Sequence, residues 1–367
     1  MIEMRGVRSS LFLIVTILVA VGIVMIYSAS AIYADSSMGD SLYYLKRHLI
    51  YLAAGVIMML FAMAMDINRL KPLAKPIVFA TIFLLLLVLV PHIGRVTAGA
   101  RRWFKFGPIN FQPSEFAKIA IIIYMADLAS RKGAAMKSFI HGYLPAAIIL
   151  GAVVGLVLLE PDLGTAITIC FIVFIMLFAG GARVTYIWAS LLASIPVLYL
   201  LLFRVSYRRK RMMAFLNPWA DRRGTGFQII QSFVALGSGG VLGVGLGQSR
   251  QKLFYLPASH TDFIFSIIGE ELGFIGTASI VILFGLFVWQ GMKIVFRAAS
   301  TFERLVSLGI VSLVALEAII NIGVTAGALP TKGLPLPFIS YGGSGLIFHL
   351  MAIGFLLNIA KNCETCQ

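Results

Sequence analysis

The residues with most chemical promise lie where a polar stretch meets a long apolar run, in Leu256-Pro-Ala-Ser-His-Thr-Asp262-Phe-Ile-Phe. Thr261 or Ser259 could cap the helix that follows, leaving Asp262 in or near its first turn as a capping or dipole residue. The other reading makes Asp262 a general base. A lone carboxylate at a membrane surface, beside His260 and a cluster of arginines, can take a proton from a sugar hydroxyl while the cations hold a diphosphate leaving group. Glu270 and Glu271 follow about two turns deeper, and one of them must face a partner or a cavity.

Four further constellations could serve that chemistry. Gly99-Ala-Arg-Arg-Trp103 precedes Gln112-Pro-Ser-Glu115 and Lys118. Pro113 suits a first helical position, Glu115 faces the positive end of the helix dipole, and Lys118 stands three residues on, in pairing range. The group is either a buried structural ion pair or a polar cavity floor in which Arg101, Arg102 and Lys118 hold a phosphate. Glu160-Pro-Asp162-Leu-Gly164 places two carboxylates on a tight turn, where Asp162 suits a capping role. Arg208 to Arg211, Arg222 and Arg223 precede a segment, 237–247, with six glycines in eleven residues. No strand-turn-helix unit surrounds those glycines, so close backbone packing or a re-entrant turn fits better than a nucleotide loop. Finally, Leu329 to Ser344 carries Lys332 among three prolines and a Gly-Gly pair, a composition no regular helix accepts. At membrane depth such a loop must be buried in protein or line a wet cavity.

The elements that must position these residues follow from composition. Of 367 residues 60% are apolar and 12% charged, about half the charge of a soluble domain. At about 20 residues per crossing the expected fold is an all-α polytopic membrane protein with about ten transmembrane helices. Apolar runs at 11–33, 48–65, 76–91, 114–130, 142–159, 164–181, 185–203, 263–295, 305–327 and 339–360 supply them, with one large outer loop, about 204–261, between the seventh and eighth. The chain, 1–367, is expected to form a single membrane domain. Arg5 and Arg8 before the first run imitate a signal peptide, but the run is too long and others follow, so it is read as a retained helix. With the N-terminus inside, thirteen Lys and Arg fall in inner short segments and seven in outer ones, favouring both termini in the cytoplasm. The formal charge of +15 calls for anionic lipid or phosphorylated substrate, whereas nucleic acid is disfavoured because no reading helix is polar enough to leave the bilayer. Three cysteines, Cys170, Cys363 and Cys366, imply no disulfide framework.

Pro257 to Gly273, Ala100-Arg-Arg-Trp103, Gln112-Pro-Ser-Glu115 and Pro337-Phe-Ile-Ser-Tyr-Gly-Gly-Ser344 together resemble the SEDS family of shape, elongation, division and sporulation proteins. The resemblance spans nearly the whole chain. In Gln251 to Pro257 and Pro330 to Leu334 it is nearer the division type than the elongation type; Ala258-Ser259 departs from the charged residue often found there. It implies a ten-helix peptidoglycan glycosyltransferase of the bacterial cytoplasmic membrane, polymerising lipid II on the outer face in division or elongation and working with a class B penicillin-binding protein. Asp262 would be the essential carboxylate. Glu115 and Lys118 would be the salt-bridged pair, and Arg101 or Arg102 the cavity arginine. The expected substrate-binding set is Arg101, Arg102, Glu115, Lys118, His260, Lys332 and Ser340. No motif demands a metal, although a divalent cation, Mg or Mn, is compatible with a diphosphate. The rival readings are a lipid II flippase, which intramembrane charges and broken helices also suit, and a non-enzymatic scaffold.

Overall fold

A computed structural model describes residues 2–97, 100–107 and 109–365. Gly99 and Cys366, singled out in the sequence, lie outside the described residues. Ten helices follow the ten apolar runs: α1 (Ile2–Met38), α2 (Tyr43–Ala64), α3 (Leu70–Leu89), α4 (Pro113–Lys132), α5 (Leu144–Leu159), α6 (Leu163–Ala179), α7 (Val184–Phe203), α10 (Ile264–Arg297), α11 (Thr301–Thr325) and α12 (Ser344–Thr365). Two more, α8 (Ser206–Leu216) and α9 (Phe227–Ser238), occupy the large loop, which is therefore helical in part. The last apolar run starts as loop, and its helix begins only after the Gly342-Gly343 pair.

Several helix starts follow local chemistry. Pro113 opens α4, as its spacing predicts. Asp162 caps α6, accepting from the Thr165 N–H at 3.1 Å and its hydroxyl at 3.0 Å. Ser300 and Glu303 form a reciprocal capping box at α11.

Eight helices among the described residues are long and apolar enough to cross a membrane; α4 and α6 are the exceptions among the ten. α4 can carry Glu115, Lys118 and Asp127 because it runs inside the bundle, buried along most of its length against α3, α6, α11 and α12. α7 is its opposite, burying only Ile187 and exposing Trp188, Leu192, Ile195 and Tyr199.

The glycine-rich segment is a structural insert rather than a nucleotide loop. α10 breaks at Gly273, whose φ of 66° needs glycine. Loop backbone fills the break: Val244 N–H donates to Glu270 O (3.0 Å) and Gly245 N–H to Glu271 O (3.1 Å), while Phe274 and Ile275 N–H donate to Gly240 O (2.9 Å) and Val241 O (3.2 Å). Both freed halves of the helix ladder are thus satisfied, as membrane depth requires. Glu270 accepts the Arg250 N–H at 2.9 Å. Glu271 pairs with Lys252 Nζ at 2.9 Å and accepts Ser28 Oγ at 2.7 Å. The two carboxylates anchor the loop and leave none facing a cavity.

Between α3 and α4 the chain forms a small antiparallel sheet, β1 (Arg95–Thr97), β2 (Ala100–Phe106) and β3 (Ile109–Phe111), in spatial order β1-β2-β3. It joins the connections α1–α2, α5–α6, α7–α10 and α11–α12 at one end of the bundle. These are the alternate connections that ten crossings would put on one side.

Candidate active site

Asp262 is positioned by backbone, not by a helix cap. α10 begins after Phe263 with no side-chain cap, so neither Thr261 nor Ser259 takes that role. Asn321 of α11 donates its amide to Asp262 O (2.8 Å) and to Leu334 O (2.7 Å), joining two loops through one side chain. Ser340 Oγ donates to Thr261 O (2.6 Å) and accepts the Leu336 N–H (2.8 Å). Tyr341 N–H donates to His260 O (3.0 Å). Segment 332–341 is thereby stitched along 260–262, and the Asp262 carboxylate lies over the bare backbone of Gly333. A Cβ there would sit 2.7 Å from Asp262 Oδ2, so only glycine leaves the carboxylate its place.

The surrounding charges come from three other connections and from α8, which lies in the same connection as Asp262. Arg102 donates through Nε to Glu160 O (2.7 Å) and through Nη2 to Pro161 O (2.8 Å), clamping the turn that holds Asp162. Its Nη1 stands 4.0 Å from Asp162 Oδ2. Lys332 Cε and Asp162 Oδ1 converge on Gly164, at 2.7 and 3.0 Å from where a Cβ would be. Burial pushes the Asp262 carboxyl up to about 6; Arg211 opposes this and Asp162 adds to it. Burial pulls the Lys332 ammonium down to about 8, with Asp162 opposing and Arg208 adding. Arg208 and Arg211, at i,i+3 spacing on α8, act on these groups through their charge, while Arg208 Nη1 donates to Leu201 O at 3.2 Å and Arg211 stacks over the Tyr207 ring at 4.5 Å. Beside them opens a cavity of about 670 Å³, lined by Arg209, Lys210, Arg211, Arg223 and Pro257, with Asp221 as its acid. Among the described residues no group of three His, Cys, Asp or Glu side chains gathers as cation ligands.

Not every expected residue joins this site. Arg101 and Arg102 are consecutive on β2 and point to opposite faces. Arg101 turns to Leu89 O (3.5 Å) at the end of α3, away from Asp162. Of the two forms open to Glu115 and Lys118, the structure shows the buried ion pair. Lys118 is 2% exposed and locked between Glu115 Oε1 (2.8 Å) and Glu317 Oε1 (2.5 Å), whose other oxygen meets His349 Nε2 at 2.6 Å. Ser340 is buried and spends its hydroxyl on the loop clamp just described. The His260 ring packs on Tyr44 (centroids 4.5 Å) and Tyr33 (5.8 Å), and burial pulls it down to about 4, leaving it uncharged at neutral pH. Lys332 and Arg102 are the expected cations that the fold does bring to Asp162, whose charge in turn reaches Asp262.

The profile of the FtsW/RodA/SpoVE family, described as a cell cycle protein, matches residues 8–365. The chain belongs to this family. Two similar proteins are the probable peptidoglycan glycosyltransferase FtsW of Geobacter metallireducens, 45% identical over 96% of this chain and 94% of that one, and the stage V sporulation protein E of Bacillus subtilis, 43% identical over 96% of each. The fold matches a chain solved in work on structural coordination of polymerization and crosslinking by a peptidoglycan synthase complex, with TM-score 0.77, 32% identity and coverage of 96% and 97%. It also matches the rod shape determining protein RodA of Thermus thermophilus, with TM-score 0.72, 30% identity and 96% of each chain covered. As a member of the FtsW/RodA/SpoVE family the chain is a multi-pass membrane protein, in agreement with its apolar helices.

Within this family fold, four residues of the site or its support went unrecognised in the sequence. Glu317 and Asn321 are isolated polar residues in the apolar α11, and His349 is one in α12. An intramembrane ionisable group is a functional or structural candidate by default, which was the signal available. Gly333 carried none, because its requirement comes from Asp262, 71 positions away.

Proposed function

We infer that the chain is a peptidoglycan glycosyltransferase that polymerises lipid II at the outer face of the bacterial cytoplasmic membrane, with its FtsW-named relatives favouring division. The Lys and Arg bias supports a cytoplasmic side for both termini. The whole of 1–367 is read as one membrane domain, partnered by a class B penicillin-binding protein that cross-links the product; the solved peptidoglycan synthase complex supports such a partnership. The observation that carries the enzymatic reading is the Asp262 carboxylate. It is held by backbone over Gly333, accepts no hydrogen bond among the described residues, and lies in the field of Arg211 and of Asp162, the carboxylate at which Lys332 and Arg102 gather.

The chemistry follows from that placement. Asp262 accepts the proton of the 4-hydroxyl of an acceptor N-acetylglucosamine as its oxygen attacks C1 of the donor N-acetylmuramic acid. The bond from C1 to the diphosphate oxygen breaks, inversion follows, and undecaprenyl diphosphate leaves with the electron pair. Lys332, with Arg208 and Arg211 from α8, stabilises the charge gathering on the diphosphate, while Arg102 fixes the turn that carries Asp162. A carboxyl near 6 is a better base than an ordinary aspartate and is still ionised at neutral pH.

The test is polymer formation from purified lipid II by the reconstituted protein and by Asp262→Asn. Loss of polymer with the fold retained is expected, and near-normal activity would remove Asp262 from the mechanism. Reconstitution with labelled lipid II separates the flippase reading, since a flippase moves lipid without making glycan. A scaffold would keep its cellular function when Asp262 is changed.

A further inference from the structure

Opposite in character to the cationic side of the site is a cluster of rings. Tyr33 near the end of α1, Tyr44 at the start of α2, Phe254, His260 and Tyr341 form one aromatic surface. Ring centroids are 4.5 Å apart for Tyr44 and His260, 5.8 Å for Tyr33 and His260, 6.0 Å for Tyr33 and Phe254, and 5.3 Å for Tyr44 and Tyr341. The bond from Tyr341 N–H to His260 O fixes this surface to the loop that presents Asp262, two residues away. Its outer rings stay open, Tyr33 at 38% and Phe254 at 58% exposure. Beside it stands the exposed ion pair Lys46 and Asp40 at 2.8 Å, so the surface has charged neighbours as well as rings. Ring faces that carry hydroxyl rims, with an uncharged imidazole among them, are chemically suited to carbohydrate: C–H faces of a sugar pack on the rings while its hydroxyls meet the tyrosine oxygens and water.

We propose that the Tyr33, Tyr44, Phe254, His260 and Tyr341 surface is a binding subsite for the glycan strand, holding sugar units of the polymer beside Asp262 between successive couplings. This rests on the glycosyltransferase reading above and adds a role in product retention. Cations on one side of Asp262 meet the diphosphate, and rings on the other meet the sugars. A strand held there remains with the enzyme after the diphosphate has left, so the surface governs how many couplings follow one another.

The experiment compares strand lengths made from lipid II by the full-length purified protein and by the Tyr33→Ala/Phe254→Ala double variant. The conservative variant Phe254→Tyr, which keeps every ring and hydroxyl, and the exposed aromatic Tyr199→Ala on α7 serve as controls, with thermal melting in detergent as the check on folding. Strands several-fold shorter in the double variant, with normal lengths in both controls, are expected. An unchanged length distribution in a folded double variant overturns the proposal, and so does loss of co-purification with a transpeptidase at unchanged length, which would make the rings a protein-docking surface. Loss of even the first coupling in a folded double variant also overturns it, since the rings would then serve the monomer. If the wild-type protein makes no polymer while Asp262→Asn behaves identically, the glycosyltransferase reading itself has failed, a result distinct from all of these.

Discussion

Two of the charge groups in this bundle are built on opposite rules. In the interior, Lys118 meets Glu115 and Glu317, and Glu317 meets His349, whose Nδ1 reaches Gly345 O at 2.7 Å. The four residues are 1–6% exposed and every charge has a partner. At the membrane end, Arg211 acts on Asp262 and Arg208 on Lys332, Asp162 acts on both, and among the described residues Asp262, Lys332, Arg208 and Arg211 form no direct ion pair. Burial of a charge is costly unless it is paired, so the interior group has the form that merely holding α4, α11 and α12 together would require. The outer group carries unspent interaction and has the form that an arriving diphosphate and hydroxyl would complete. Pairing separates the two groups more sharply than residue type does, since both contain a lysine among carboxylates.

Breaking the outer group should abolish chemistry and spare the fold. Asp262→Asn is expected to lower polymerisation about 10²–10⁴-fold, the range for losing a general base. Its melting temperature should be equal or higher, because an amide is easier to bury than a carboxylate. A comparable loss of folded protein would show that Asp262 belongs with the structural charges.

Breaking the inner group should do the reverse. Lys118→Ala leaves Glu115 and Glu317 facing each other without a cation, and removal of one partner of a buried pair costs about 3–5 kcal/mol. Low yield and a strongly lowered melting temperature in detergent are the expected results, with activity per folded molecule much less affected. A stable but inactive Lys118→Ala would return this lysine to the substrate site.

The two groups were unequally legible in the sequence, for a physical reason. Ten apolar helices follow from apolar run length, a local property, and Pro113 and Asp162 mark helix starts by local chemistry. Lys118 with Glu115 was visible because three residues separate them on one helix. Glu317 stands 199 positions from Lys118 and 32 from His349, so no window of sequence holds the group together. Arg101 and Arg102 could be told apart only with the strand register, since one residue of slip exchanges their faces. The sheet itself, short and set in a turn-rich connection, gave no periodicity strong enough to find it.

A pH profile sharpens the comparison further, because the outer group titrates near neutrality. Asp262 must be ionised and Lys332 protonated in the free enzyme. kcat/KM is therefore expected to fall below about pH 6 as Asp262 gains its proton, and above about pH 8 as Lys332 loses its own. Lys332→Ala should lower kcat/KM about 10–100-fold, the worth of a hydrogen bond to a charged group at about 1.5–3 kcal/mol. Lys332→Arg should keep most activity and move the alkaline limb upward, because a guanidinium does not deprotonate in that range. An alkaline limb that stays in place in Lys332→Arg would assign it to another group.

The smallest effect on activity is expected at the one carboxylate that follows neither rule. Glu160 is fully buried with both oxygens unpartnered, beneath the Arg102 clamp. Burial pushes it up to about 8; Asp162 adds to this and Arg102 opposes it, so at neutral pH it is a neutral acid with the shape of a glutamine. Glu160→Gln should leave polymerisation at pH 7 within about twofold, since a volume-conserving, charge-conserving change there removes no contact. Stability is where the difference should show. Between the ordinary glutamate value of 4.5 and about 8 the folded chain keeps a proton that the unfolded chain gives up, so the wild type loses stability as pH rises through that window. The glutamine variant does not titrate. Its melting temperature should pull ahead of the wild type across the window and then hold a constant lead above it. A lead that does not change with pH would mean that Glu160 is ionised in the folded protein and belongs, with Asp262, to the working charges.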